Sequence, residues 1–270
     1  MTVRMHFISG LPRAGSTLLS AVLRQNPRFS ADVSSAVQGV LSTVLPALSH
    51  QEFAPVTDDA LRRRVLRGLF AAYYPDHGDK VVFDTNRLWT GHLPLLAELF
   101  PQMRVVCCVR ELGWVLDSVE RMLDKNPLQM SSIFQFQRPA TVYQRVEQMM
   151  NPGHGFVGLP LTNLREAWFG PLAQRLVVVP YEHLTAQPER TLKALYEALG
   201  EPWFEHDVSQ LAFDAPERDA VLGMPGLHTV QSQMRLPRTQ PSIPPDLFNK
   251  FVPAQFWQLA GQNPQEVSVL

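Results

Sequence analysis

The chain has almost no cysteine, almost no net charge to build a charged surface from, and no long apolar run, and each absence removes a class of function. Its two cysteines, Cys107 and Cys108, are adjacent inside an apolar stretch, a poor geometry for a structural disulfide or a metal site. They read as buried strand residues in a reducing compartment. The formal net charge is -1, with 18% charged and 45% hydrophobic residues, so neither a polyanion-coating protein nor a disordered chain is expected. No nucleic-acid partner follows from that balance, and any basic site must be local. No apolar stretch approaches the roughly 20 residues of a membrane span, and the N-terminus offers Arg4 without the apolar h-region of a signal peptide. The expectation is a cytoplasmic protein with no membrane span. A length of 270 residues suits a single α/β domain over 1–270 with a sizeable core.

One further absence is more informative. Residues 4 to 25, RMHFISGLPRAGSTLLSAVLRQ, read as strand, Gly-rich turn and helix, with Gly10 and Gly15 separated by four residues and followed by Ser16 and Thr17. That is the spacing of a phosphate-binding P-loop with Ser16 standing where the lysine belongs. Glycines let a backbone wrap an anion, and the following helix N-terminus adds roughly half a positive charge; neither needs the lysine. The lysine and a bound Mg²⁺ neutralise β- and γ-phosphates during phosphoryl transfer. Here Arg13, inside the turn, is the nearby cation, which suits a donor with less charge on the transferred group.

GLPRAGSTLL resembles the 5′-phosphosulfate loop of sulfotransferases that use 3′-phosphoadenosine 5′-phosphosulfate (PAPS), and in form it is similar to the PRSGTTL loop of tyrosylprotein sulfotransferases and related bacterial enzymes. The resemblance implies an α/β fold, a P-loop-like parallel sheet flanked by helices on both faces with an irregular C-terminal arm. It implies PAPS as co-substrate, adenosine 3′,5′-bisphosphate as product, and no metal requirement. Arg13, Ala14, Gly15, Ser16 and Thr17 would hold the 5′-phosphosulfate.

Further along, Thr17–Gln25 has helical spacing and ends at Asn26-Pro27. Phe29–Val33 suits a short second strand carrying Asp32, whose plain reading is the N-cap of a helix over Ser34–Leu48. Tyrosylprotein sulfotransferases have glutamates at about the place of Ser34 and Ser35, so that base does not carry over. Residues 35 to 75 look helical, with Pro46 and Pro55 as punctuation and Arg62, Arg63, Arg64 and Arg67 on a solvated face.

Lys80–Trp89, KVVFDTNRLW, is a strand ending in Asp84, Thr85, Asn86 and Arg87, and ligands of open α/β sheets bind at carboxyl ends of strands. Thr85 stands where relatives carry a catalytic lysine or histidine. Asp84 and Arg87 are therefore candidate catalytic residues beside Arg13, with a structural ion pair as the alternative; Asp32 and His92 are weaker candidates for the base. Arg104–Val109 is a continuous apolar strand ending at Arg110. Ser118 lies eight residues on, in the next helix. In the family an arginine and a serine so placed hold the 3′-phosphate, and a guanidinium at a strand end can converge with a hydroxyl two turns into the following helix.

Residues 119–175 are expected to form a helical excursion that shapes the acceptor pocket, with helices near Ala140–Met150 and Leu161–Pro171. Arg175–Val179 is a last strand, and VPYEHLTAQPERTLKALYEALG resembles the family segment in which Tyr181 reaches the nucleotide; a buried structural tyrosine is the alternative. Beyond residue 200 the chain is proline-rich, and 201–245 reads as an irregular loop over the nucleotide, with Arg235 and Arg238 as phosphate contacts, or as a packed arm ending in a helix near Leu247–Ala260. The acceptor can be a small molecule, a carbohydrate or a peptide, its group a hydroxyl or an amine. A homodimer stays open. Two other functions fit the same scaffold: a small-molecule P-loop kinase, which needs a strand-end Asp such as Asp84 for Mg²⁺, and a nucleotide-binding module without catalysis.

Overall fold

A computed structural model describes residues 4–50, 56–75, 78–211, 213–230, 240–259 and 261–270. Its centre is a parallel sheet in the order β2-β3-β1-β4-β5-β6. The strands are β1 (Arg4–Gly10), β2 (Phe29–Ala31), β3 (Val81–Thr85), β4 (Val105–Val109), β5 (Leu176–Pro180) and β6 (Ser268–Val269). The sequences VVFDT, VVCCV and LVVVP of β3, β4 and β5 are buried at every position. Such strands are covered on both faces, which is why they read as apolar runs rather than alternating ones. Cys107 and Cys108 are free and buried in β4, where burial pushes the Cys108 thiol up to about 12.

The helices are α1 (Ser16–Leu23), α2 (Val37–Ser49), α3 (Asp59–Tyr73), α4 (Leu93–Leu99), α5 (Leu112–Lys125), α6 (Val142–Met149), α7 (Gly158–Phe169), α8 (Tyr181–Ala186), α9 (Pro188–Leu199), α10 (Pro216–Val221) and α11 (Pro245–Lys250). This is the α/β, P-loop-like architecture that the loop implies. None of the described helices is long and apolar enough to cross a membrane. Because β3 and β4 pair with opposite sides of β1, the chain reverses its direction of travel across the sheet beside β1. In open α/β sheets that switch point, at the carboxyl ends of the strands, is where a crevice opens.

Several local expectations change. The first helix after β2 begins at Val37, not Ser34, and Asp32 does not cap it: the Asp32 carboxylate accepts the Val33 N–H at 2.8 Å, while Ser35 Oγ accepts from Val37 N–H at 3.3 Å. Pro46 lies inside α2 without ending it; Pro55 lies outside the described residues. The C-terminal helix expected near Leu247–Ala260 stops at Lys250. Pro253 has no N–H to continue the ladder, and the chain proceeds through 3₁₀ turns at Val252–Ala254 and Phe256–Gln258. From there it reaches β6, a two-residue edge strand that carries no sequence signature. The arm is nonetheless anchored: the buried Leu112 N–H at the start of α5 donates to Gln255 Oε1 at 3.0 Å. At Gly113 a Cβ would meet the Phe248 carbonyl at 2.7 Å, so α11 can pack this closely only on a glycine.

Candidate active site

Four strand ends meet at one cavity of about 650 Å³. The turn after β1 supplies Gly10, Arg13, Gly15, Ser16 and Thr17, the β3 end supplies Thr85, Asn86 and Arg87, the β4 end and α5 supply Arg110 and Ser118, and the β5 end supplies Tyr181. Two glycines make the turn possible. Gly10 has φ 108° and a Cβ there would lie 2.1 Å from the Cys108 carbonyl; Gly15 has φ 95° and a Cβ would lie 2.9 Å from the Tyr181 ring. Only a residue without a Cβ takes these conformations and approaches this closely. Leu11 N–H donates to the Cys108 carbonyl at 2.8 Å, and the first intrahelical bond runs from Leu19 N–H to the Gly15 carbonyl at 2.8 Å. The amides of the first turn of α1 precede that bond, and helix geometry gives them no intrahelical acceptor. Ala14 is buried in the core, so its contribution to the turn is its backbone.

Arg13 is held at φ 59°, and its guanidinium turns toward α5: Nε donates to Ser118 Oγ at 3.1 Å, and a terminal nitrogen donates to the Leu227 carbonyl. Arg110 lies beside it, donating to the Arg13 carbonyl at 3.3 Å and lying over the Tyr181 ring at 4.3 Å. Burial lowers the pKa of both guanidinium groups, and Arg110 lowers that of Arg13 further. The Arg110 Nε is buried without a hydrogen-bond partner. Two desolvated cations, a hydroxyl and an orphaned donor converge here, which is a surface made for an anion.

The β3 end is different. Asp84 is fully buried and does not line the cavity. Its carboxylate accepts from Ser35 Oγ at 2.8 Å, Tyr74 OH at 2.6 Å and Trp89 Nε1 at 2.8 Å. Burial raises its pKa against the lowering effect of those three donors. No ion pair joins Asp84 to Arg87. Arg87 instead lies over the Phe156 ring at 4.6 Å and keeps an exposed surface that lines the cavity, while the surrounding protein lowers its pKa by desolvation. Strand alternation explains the split: Thr85, on the other face of β3, shares a 3.3 Å hydrogen bond with Ser20 of α1.

The remaining candidates separate. Asp32 is exposed and off the cavity, and His92 is engaged through Nε2 by the Gln38 amide at 3.0 Å, with burial lowering its pKa. Ser34, Ser35 and Gln38 line the cavity as well. Arg235 and Arg238 lie outside the described residues. In their place the described part of that segment brings Leu222, Leu227, His228, Thr229 and Val230 to the cavity wall. His228 had no motif to mark it. Its Nδ1 donates to Asp219 Oδ1 at 2.5 Å and its backbone N–H to Asp219 Oδ2 at 3.0 Å.

The site is thus a glycine-framed turn of P-loop form on a parallel sheet, facing two cations and a serine across the switch point. The profile of the sulfotransferase family matches residues 6–205, and the chain belongs to that family. No curated protein matches it at a significant level. Among solved structures it is similar to a sulfotransferase from Alicyclobacillus acidocaldarius, with 14% identity, a TM-score of 0.52, and coverage of 82% of this chain and 90% of that one. It is also similar to the sulfotransferase domain of the Synechococcus PCC 7002 olefin synthase, with 18% identity, a TM-score of 0.49 and 76% of each chain covered. The sulfotransferase domain from the curacin biosynthetic pathway stands at 16% identity and a TM-score of 0.49, again over 76% of each chain.

Proposed function

We propose that the protein transfers the sulfuryl group of PAPS to a hydroxyl or amine of an acceptor bound at the β3 side of the cavity. The observation that carries this reading is the Arg110 Nε, buried without a partner between the Tyr181 ring and the turn after β1, with Ser118 reached by Arg13 at 3.1 Å. A 3′-phosphate supplies the missing acceptor, and a protein selecting plain adenosine nucleotides has no use for that arrangement. Arg110 and Ser118 grip the 3′-phosphate, Tyr181 shapes the floor beside Gly15, and the amides of the turn with Ser16 and Thr17 hold the 5′-phosphate and stabilise charge growing on it during transfer. Arg13 spans the two: its backbone belongs to the turn and its guanidinium to the 3′ side. Arg87, on Phe156, faces the acceptor. Arg235 and Arg238 are further phosphate contacts in this reading.

The kinase alternative needs a carboxylate for Mg²⁺ at the strand end. Asp84, the residue that kept it alive, is enclosed by Ser35, Tyr74 and Trp89 away from the cavity. Calorimetry with adenosine 3′,5′-bisphosphate, ADP and Mg²⁺-ATP tests the reading. Tight binding of the bisphosphate with or without Mg²⁺ supports it; preference for Mg²⁺-ATP overturns it. Turnover of labelled PAPS with small-molecule, carbohydrate and peptide acceptors then separates an enzyme from a binding module.

A further inference from the structure

The cavity is far more cationic than the chain that forms it. Arg13, Arg87, Arg110, Arg121 and Lys125 line it, in a protein whose formal net charge is -1. Among the described residues Asp117 is the one carboxylate in its wall, and that carboxylate is already used: Arg121 Nε donates to one oxygen at 2.7 Å and Ser242 Oγ to the other at 2.6 Å. Lys125 closes α5, where the carbonyls of the last helical turn suit a cation. Arg13 and Arg110 belong to the nucleotide side. Arg87 is left, at the β3 end, and among the described residues its guanidinium has neither an ion pair nor a hydrogen bond, only the Phe156 ring.

Two pinned turns build that contact. Asn86 N–H donates to the Ile8 carbonyl at 3.0 Å and Trp89 N–H to the Asn86 carbonyl at 3.1 Å, while Asn86 Oδ1 accepts from Leu88 N–H at 3.0 Å. The turn that carries Arg87 is thereby fixed to β1 on one side and to the buried Trp89 on the other. Phe156 comes from an equally constrained turn: Gly155 N–H donates to the Asn151 carbonyl at 2.8 Å and Val157 N–H to the Met149 carbonyl at 2.9 Å, and a Cβ on Gly155 would collide with the Met149 carbonyl. The ring lies against the guanidinium at 4.6 Å and attracts it without neutralising it. A ring covers a face, whereas the N–H donors of a guanidinium lie in its plane and stay open. Desolvation by the surrounding protein lowers the pKa of Arg87, so this is a cation that has given up water without gaining an acid.

We propose that the acceptor is itself an acid and that Arg87 is the residue that selects it, gripping a carboxylate of the acceptor in the guanidinium plane while Phe156 holds the guanidinium from one face. The inference rests on the sulfuryl-transfer reading above. The described wall around Arg87 is made of the uncharged polar residues Ser35, Gln38 and Asn86 and the apolar Val33 and Leu88, none of which repels an anion. With its Oδ1 taken by Leu88, Asn86 keeps its amide donors for the same group. An uncharged acceptor would cover the Arg87 donors without matching them, which costs binding, whereas a carboxylate forms the forked, charge-assisted pair that a guanidinium makes best.

The test uses the full chain and three phenols that share ring and hydroxyl but differ in the charge of the tail: 4-hydroxyphenylacetate, 4-hydroxyphenylacetamide and tyramine. Affinity is measured by calorimetry on the complex with adenosine 3′,5′-bisphosphate, and kcat/KM with PAPS. The wild type should favour the acid over the amide at least about tenfold in both, the usual worth of a charge-assisted pair, with the amine weakest. Arg87→Gln should bring the acid-to-amide ratio to within about twofold of one, Arg87→Glu should reverse the order in favour of tyramine, and Arg87→Lys, a point charge without the fork, should keep part of the preference. Bisphosphate affinity, which also reports folding, should stay within about twofold in all three variants. A wild type with no preference for the acid, including one that binds none of the three, overturns the proposal. So does an acid-to-amide ratio unchanged in Arg87→Gln, or an equal loss for acid, amide and amine, which would make Arg87 part of the transfer step rather than of acceptor choice. Acid preference in binding without release of bisphosphate from PAPS defeats the sulfuryl-transfer reading and leaves the anion site standing.

Discussion

Strands β3 and β4 flank β1 and deliver charged residues to the same edge of the sheet, yet the two ends are finished in opposite ways. At β3 the charge is one residue inside the strand. Asp84 points away from the cavity into a ring of donors from three separate segments, and its hydrogen-bonding capacity is met within the protein. At β4 the charge is one residue beyond the strand: Arg110 leans over Tyr181 with Nε buried and unmatched. A satisfied buried group stabilises a fold, whereas an unsatisfied one is tolerated where a ligand completes it. The contrast therefore separates a strand end whose charge is used within the scaffold from one that leaves a donor open at the cavity, and each end makes its own predictions.

The largest effect is expected at the satisfied end. Asp84→Ala leaves the buried Ser35 and Trp89 donors and the half-buried Tyr74 hydroxyl without their acceptor, which should cost on the order of 3–5 kcal/mol and lower Tm by about 10 °C. The folded fraction should retain its affinity for the bisphosphate. A thermal melt beside a binding isotherm checks both halves, and an unchanged melt with lost binding would return Asp84 to the site.

A second satisfied group gives a pH-dependent effect. His6 of β1 is buried, and its Nδ1 accepts from Arg104 N–H at 3.0 Å. Desolvation, with Arg4 and Arg104 nearby, lowers its pKa from 6.5 to about 4. A histidine whose folded pKa is depressed contributes stability that is complete above pH 6.5 and is lost as pH falls toward 4. The loss should amount to about 3 kcal/mol. Denaturant midpoints measured across that window should fall in the wild type and flatten in His6→Gln; parallel curves would remove His6 from the account.

At the open end the effects fall on binding instead. Ser118→Ala removes one neutral hydroxyl and should weaken bisphosphate binding by about 1 kcal/mol with no change in Tm. A change in Tm without one in affinity would make Ser118 part of the scaffold.

The glycine-framed turn after β1 and the placement of Arg110 and Ser118 at one cavity are legible because they are local: glycine spacing, a strand end and a two-turn helical offset are fixed by a few neighbouring residues. That Asp84 is enclosed rather than open to the cavity is not legible in the sequence, because its partners, Ser35, Tyr74 and Trp89, come from elements whose packing no periodicity shows. The Asp84–Arg87 pair failed for a related reason, since closeness in sequence at a strand end says nothing about the face on which a side chain emerges. His228 and Asp219 were invisible because they lie in a proline-rich stretch without period, and their partnership exists only through the turn that follows α10. Edge strand β6, two residues long, had too little pattern to read.

The division between satisfied and open ends is tested most directly by measuring how well the protein distinguishes adenosine 3′,5′-bisphosphate from 5′-AMP, by calorimetry, in the wild type and in Arg110→Ala. The account predicts that the wild type strongly prefers the bisphosphate and that Arg110→Ala loses about 2–3 kcal/mol of that preference, with 5′-AMP binding nearly unchanged. Equal binding of the two nucleotides by the wild type, or an Arg110→Ala variant that keeps the preference, would contradict it.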